Sequence, residues 1–281
     1  MKVALIFDYG KTTGFGHYMR AEAIAQAIRD VTKDYSRNLT YLFWAYTPGE
    51  SASHLNLNSF KHVVIDSYLM GDKFYNDVMA GGPQLIVVDD GFVHRTYTSP
   101  PRLVSPHIWH DDRYILLRKA FWNVEKKTIR KKVQNVLIMF GGGEKAKEYA
   151  QLTVPLLNDN YDVRCLTPTD RKTFTEEEVL KSMLWADIAI SGCGVTMNEL
   201  ACVGVPSIGV LVGEDQRPCG HAFMSRGFIK FMLRDKEELS AVPKMLESDS
   251  MNYDKRKKMS KLGRELVDGR GAHRFVKEIL I

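Results

Sequence analysis

His17 and Arg20 stand three residues apart, just past a turn containing Gly14 and Gly16 and at the opening of the amphipathic stretch GHYMRAEAIAQAIRD. An imidazole exchanges a proton near neutral pH, and a guanidinium holds phosphate or carboxylate through a planar fork of donors. Residues three apart on a helix share a face, so a general base and an anion-binding group are expected side by side. Glycine lets backbone approach a ligand closely, and the unpaired N–H groups at a helix start attract anions. The same residues also suit a tight turn with a capping histidine, and the segment alone leaves both readings open.

The elements around these residues are legible. Residues 2–7 (KVALIF) form an unbroken apolar run, as a strand buried on both faces of a parallel sheet requires, and Ala21, Ile24, Ala25 and Ile28 give the apolar stripe of the helix that follows. Further strand-like runs fall at 39–45, 62–66, 84–89, 134–140, 161–166, 187–190 and 207–212 with helical patterns between several of them, which predicts an α/β protein with parallel sheets. A charged stretch over 119–133 precedes a fresh strand, VLIMF, and its own loop Gly141-Gly142-Gly143. Two Rossmann-like domains are therefore expected, 1–125 and 126–281, with ligands at the carboxyl ends of their strands and a bridging ligand in a cleft between them.

The second domain repeats the strand, glycine loop, helix order. Strand 187–190 runs into Ser191-Gly192-Cys193-Gly194, a helix starts near Val195-Thr196 carrying Asn198 and Glu199, and Gly204 ends it. Such a loop suits a diphosphate: its amides can approach, Thr196 adds a hydroxyl without charge, and Glu199, one turn on, is placed for a ribose diol or for solvent. Gly141 and Gly142 after one strand, and Asp215 and Gln216 after another, put further candidate contacts at the same edge.

Composition bounds the rest. In 281 residues, 44% hydrophobic and 26% charged, no apolar run reaches the length of a membrane span and Met1-Lys2 leads straight into a strand, so a cytoplasmic, globular protein without a membrane span is expected. The net charge of +5 is concentrated at Lys126, Lys127, Arg130, Lys131 and Lys132, which reads as a solvated interdomain helix or linker and not as a nucleic-acid arm. Cys165, Cys193, Cys202 and Cys219 lack C-x-x-C spacing and read as free thiols. No D-x-D occurs; Asp111-Asp112 is expected in a cap or turn, His94, His107 and His110 in a loop, and no metal or cofactor is expected. Asp89-Asp90 ends a strand at the ligand edge, where one carboxylate could orient His17 or a sugar hydroxyl. Arg20 is open to two partners, a phosphate or a carboxylate such as Asp8.

Taken in order, GFGHYMR (14–20), VVIDSY (63–68), IVVDDGF (86–92), YILLRKAF, IMFGGGE, ISGCGVTMNELACVGVPSI, EDQ and DGRGAHRFV resemble the motifs of the UDP-sugar hydrolase of the pseudaminic acid pathway, over nearly the whole chain. At Ser67 members of that family often carry a histidine, so the sugar pocket is expected to differ there. The resemblance implies a glycosyltransferase-B fold with the nucleotide on the C-terminal domain. It also implies that His17 activates the water attacking the anomeric carbon, with Tyr68 near the sugar and Glu199 on the ribose. The expected site is then His17, Tyr68 and Asp8 for catalysis. Gly14, Gly16, Arg20, Asp90, Gly141, Gly142, Gly194, Val195, Thr196, Asn198, Glu199, Asp215 and Gln216 are expected to bind the substrate. The expected activity is inverting, metal-independent hydrolysis of a UDP-linked acetamido deoxy sugar by a monomer, with a glycosyltransferase or a non-catalytic nucleotide-sugar binder of the same fold as rivals.

Overall fold

The computed structural model describes residues 2–9, 16–34, 40–46, 55–88, 94–105, 107–108, 111–142, 144–157, 160–167 and 174–281. Gly14, Asp89, Asp90, His110 and Gly143 lie outside them. The chain divides into two units, one of Met1–Lys119 with Arg270–Ile281 and one of Ala120–Gly269. The C-terminal segment thus belongs with the N-terminal unit, a return that a single division at 125 does not contain.

In the first unit β1 (Lys2–Asp8), β2 (Thr40–Tyr46), β3 (His62–Asp66), β4 (Gln84–Val88) and β5 (Arg102–Val104) form one sheet in the order β2-β1-β3-β4-β5, every pair parallel. Val3, Ala4, Leu5, Ile6 and Phe7 are all buried, as expected of a strand covered on both faces. Helix α1 (Gly16–Asp34) follows β1, and α2 (Asp72–Ala80) follows β3. Burial on α1 reaches beyond the predicted stripe to Ala23 and Ala27, because α1 packs against both β1 and the C-terminal helix α9 (Gly271–Phe275).

The second unit holds β6 (Asn135–Met139), β7 (Asp162–Cys165), β8 (Ile188–Gly192), β9 (Ser207–Val210) and β10 (Ile229–Leu233), again parallel, in the order β10-β9-β8-β6-β7. Its helices are α3 (Glu144–Thr153), α4 (Glu176–Trp185), α5 (Val195–Val203), α6 (Arg217–Ser225), α7 (Val242–Glu247) and α8 (Tyr253–Leu266). A core of Val136, Ile138, Ile188, Ile190, Ile208 and Val210 joins the central strands.

Two strands escape the sequence pattern, β5 and β10. The first is three residues long, follows Pro100-Pro101 and leaves Leu103 exposed; the second places the exposed Lys230 within its apolar run. Each is an edge strand, where burial on one side alone blurs the pattern. The charged linker also departs from expectation. No helix spans 122–134, and Lys127 is buried, not solvated: its Nζ donates to Leu184 O at 2.5 Å. Arg130 donates to Trp185 O and to Asp187 Oδ1, each at 2.9 Å, so these cations are drawn in by the carbonyl end of α4 and the carboxylate beside it.

Candidate functional site

In each sheet one central strand has neighbours reached in opposite directions along the chain, and at that reversal the strand ends open a crevice. In the first unit the reversal lies between β1 and β3, where Phe7 pairs with Asp66. Asp8 ends β1, Asp66 ends β3, and α1 opens at Gly16, which brings His17 and Arg20 to the same edge.

Asp66 joins the two predicted residues. His17 Nδ1 lies 2.7 Å from Asp66 Oδ1, while Arg20 Nε and Nη2 donate to Oδ2 and Oδ1 at 2.6 and 2.8 Å. All three side chains are buried. Burial works against a charged carboxyl, but the Arg20 guanidinium and His17 outweigh it and hold Asp66 well below the usual carboxylate range. An ionised oxygen at 2.7 Å requires a proton between it and the ring, so His17 Nδ1 carries the hydrogen, and in the neutral imidazole Nε2 is the nitrogen that accepts a proton. Arg20 Nη2, 3.1 Å from Nδ1, then lies beside that nitrogen as a neighbouring charge. Arg20 engages Asp66, and Asp66 is a functional candidate that sequence reasoning missed. Its one signal was an acid at the end of an apolar strand aimed at the ligand edge.

Asp8 is buried completely, and its carboxyl accepts from Ser67 Oγ and Tyr68 N, both at 2.6 Å, and from Leu69 N at 3.2 Å. Ser67 Oγ in turn accepts from Leu69 N and Met70 N at 3.1 and 2.9 Å. Asp8 therefore organises the loop leaving β3. That loop sets the half-buried Tyr68 edge-on to the His17 ring, with centroids 4.5 Å apart and planes at 90°. Five residues sit together here: Asp8, His17, Arg20, Asp66 and Tyr68. The half-buried Gly16 begins the helix beneath them.

In the second unit the reversal lies between β6 and β8, and both predicted glycine loops leave the sheet there. A side chain at Gly192 would come within 3.1 Å of Phe140 O, so the two strand exits touch backbone to backbone. Gly141 has φ +87° with open space where a side chain would stand, a conformation favouring glycine. Gly142 is half-buried. Gly194 caps α5, and Val195 and Thr196, both half-buried, supply its first turn. Asn198 and Glu199 are buried one turn on, so Glu199 is not a solvated helix glutamate; Asn198 Oδ1 has no hydrogen-bond partner among the described residues. Gln216 Oε1 accepts from Cys193 N at 3.0 Å and Val212 N at 3.3 Å and ties the exits of β8 and β9, while Asp215 is exposed in the turn before it.

Other candidates take the roles of turns and loops. Asp111 caps the turn Asp112–Tyr114 by accepting from Arg113 N at 2.9 Å, and His94 is exposed. Among the described residues no three His, Cys, Asp or Glu side chains gather as metal ligands, no cysteine is in a disulfide, and no helix is long and apolar enough to cross a membrane.

Solved structures of similar shape span both units. The spinosyn rhamnosyltransferase SpnG, solved with thymidine diphosphate, matches with a TM-score of 0.56 at 10% identity over 100% of both chains. MurG of Acinetobacter baumannii matches at 0.54 with 14% identity over 100% of this chain and 99% of its own. A UDP-N-acetylglucosamine 2-epimerase matches at 0.55 with 13% identity over 100% of this chain and 96% of its own. The fold is the glycosyltransferase-B fold. At these identities the likeness establishes architecture, two Rossmann-like α/β units. No family model and no curated protein sequence matches the chain.

Proposed function

We propose that the protein is an enzyme acting on a nucleotide-linked sugar, and that it uses water to cleave the anomeric C–O bond, releasing a nucleoside diphosphate and the free sugar. The observation that carries this reading is the buried pair of His17 and Asp66 at the crevice of the first sheet, braced by Arg20. In this reading Asp66 holds the imidazole in the tautomer whose Nε2 takes a proton from the attacking water, and it stabilises the imidazolium that results. The departing diphosphate needs no proton if charge is met by the amides of Gly194, Val195 and Thr196 at the start of α5. Glu199 is the proposed ribose acceptor, with Gly141, Gly142, Asn198 and Gln216 lining the edge. Asp8 serves by shaping the Tyr68 loop. Water entering opposite the leaving group inverts the anomeric centre.

Known structures of this fold include glycosyltransferases and a UDP-N-acetylglucosamine 2-epimerase, one of the transferases in complex with thymidine diphosphate, which supports a nucleotide-sugar substrate. The resemblance of the sequence motifs to the UDP-sugar hydrolase family favours a UDP-linked acetamido deoxy hexose and hydrolysis. Transfer to an acceptor hydroxyl is the second reading, favoured by the glycosyltransferases among the structures of this fold. A panel of nucleotide sugars assayed for released nucleoside diphosphate in water alone tests the assignment: release without acceptor establishes hydrolysis, release only with an added acceptor establishes transfer, and tight binding with no release under either condition overturns both.

A further inference from the structure

The loop that places Tyr68 against His17 is held from two sides by opposite charges. On one side the Asp8 carboxyl collects its amides, from Tyr68 and Leu69. On the other, Arg95 collects its carbonyls: Nη1 donates to Met70 O at 2.6 Å and Nη2 donates to Ser67 O. The Arg95 guanidinium lies 4.5 Å over the ring of Tyr75, whose hydroxyl donates to the same Ser67 O at 3.3 Å. Tyr75 is itself fully buried in the core beneath β3 and β4, and that core anchors the stack.

We propose that Arg95 is a positioning residue of the site, fixing the Ser67–Met70 loop so that Tyr68 keeps the His17 imidazole in its working orientation. Arg95 touches none of the proposed reacting groups. Its reach is through backbone: Ser67 follows Asp66, the residue that orients His17, so the carbonyl that Arg95 holds belongs to the residue bonded directly to the orienting acid. A guanidinium satisfies two carbonyls in one plane while stacking on an aromatic ring; an ammonium can hold one carbonyl well but offers neither the fork nor the stack. Neutral replacement leaves Ser67 O with the Tyr75 hydroxyl alone and Met70 O without this donor, and the loop loses one of its two clamps.

The inference rests on the reading of His17 as the base, so its test needs a readout independent of turnover. The imidazole C–H resonances of His17, assigned by their loss in His17→Asn, report the ring current of Tyr68, which an edge-on contact at 4.5 Å makes large. Tyr68→Leu gives the shift expected when that contact is absent. Arg95→Met is expected to move the His17 signals most of the way toward those of Tyr68→Leu, with Arg95→Lys between wild type and Arg95→Met. If the enzyme hydrolyses its substrate as proposed, Arg95→Met should also lower kcat about tenfold while affinity for UDP stays within twofold. His17 signals unmoved in Arg95→Met but displaced in Tyr68→Leu would show that the loop holds without Arg95 and overturn the inference. Signals unmoved in both would overturn it as well, by removing Tyr68 from the histidine. Absence of turnover in wild type would sink the functional reading alone, since the resonances still decide the role of Arg95. Should Arg95→Met fail to fold, Arg95→Lys together with Tyr75→Phe, which keeps the ring and removes one donor to Ser67 O, gives the same comparison.

Discussion

At the scale of single residues, Asp66 governs both charge and direction in the first unit. A buried guanidinium is costly without a partner, and Asp66 is the partner that both Arg20 and His17 use. Asp66→Ala removes the buried carboxylate that Arg20 and His17 share and is expected to cost about 3–5 kcal/mol of stability, read from urea unfolding. Asp66→Asn preserves volume but removes the charge that fixes the imidazole tautomer. Turnover should then fall at least about 10²-fold with UDP affinity unchanged, and His17→Asn should lower it by roughly 10²–10⁴ in the same way. A parallel drop in UDP affinity would make these residues phosphate contacts instead. The pH dependence follows from the lowered folded-state value of Asp66. The unfolded chain takes up this proton first, below about pH 4, so the stabilisation is complete above that range and shrinks as pH falls below it. The stability gap between wild type and Asp66→Asn should therefore narrow from pH 6 to pH 3, and a constant gap would contradict it. His17 and Arg20 were legible because helical spacing places them together locally. Asp66 lies 49 residues from one and 46 from the other, and only the adjacency of β1 and β3 joins them.

At the scale of elements, each glycine loop takes its shape from a neighbouring strand exit. The turn after β8 was readable from its glycines and from the helix start at Val195, since glycine loop and helix onset are signals local to the chain. The Gln216 Oε1 contact with Cys193 N and Val212 N was not readable, because it depends on β8 and β9 being neighbours. If α5 starts a diphosphate site, Glu199→Ala should weaken UDP binding at least tenfold, the equivalent of losing a charge-assisted hydrogen bond of about 1.5–3 kcal/mol, and Thr196→Ala should weaken it in the same direction. Calorimetry on folded variants with unchanged affinity would remove the nucleotide from this loop. The far end of the same sheet carries a different signal. Burial pushes the Lys127 ammonium down to about 8 from an ordinary 10.5, against the pull of Asp187. Between those values the unfolded chain binds more protons than the folded one, so stability rises with pH across the window. Relative to Lys127→Met, wild type should gain up to about 3 kcal/mol between pH 8 and pH 10.5. A difference that stays level would place the amine in solvent.

At the scale of the whole molecule, alternation of strand and helix made two parallel α/β units predictable, because period and punctuation survive in sequence. The return of Arg270–Ile281 to the first unit was not, since its recognition is spread over distant groups. Gly271 sits where a Cβ would come within 2.1 Å of Ile115 O, His273 Nε2 lies 3.0 Å from Asp30 Oδ2, and Glu278 holds Arg113 and Tyr114. Each contact is specific, yet the segment alone reads as a short helix. What the assembled chain offers chemically is a carboxylate-oriented histidine in one unit and a glycine-loop helix start in the other. Under the proposed function attack falls on carbon: water gives its proton to the histidine, and the diphosphate leaves with its bonds to phosphorus intact. Attack at phosphorus would make a different demand, a cation bridging phosphate oxygens and held by clustered carboxylates. The two courses are separated by the fate of the solvent oxygen. In ¹⁸O-labelled water with excess EDTA, the reaction should proceed at an undiminished rate, place the label at the anomeric carbon of the free sugar, and leave the released UDP unlabelled. Label in the phosphate, or activity lost to EDTA and restored by Mg²⁺, would make the protein a pyrophosphatase and would strip His17 of its role as base.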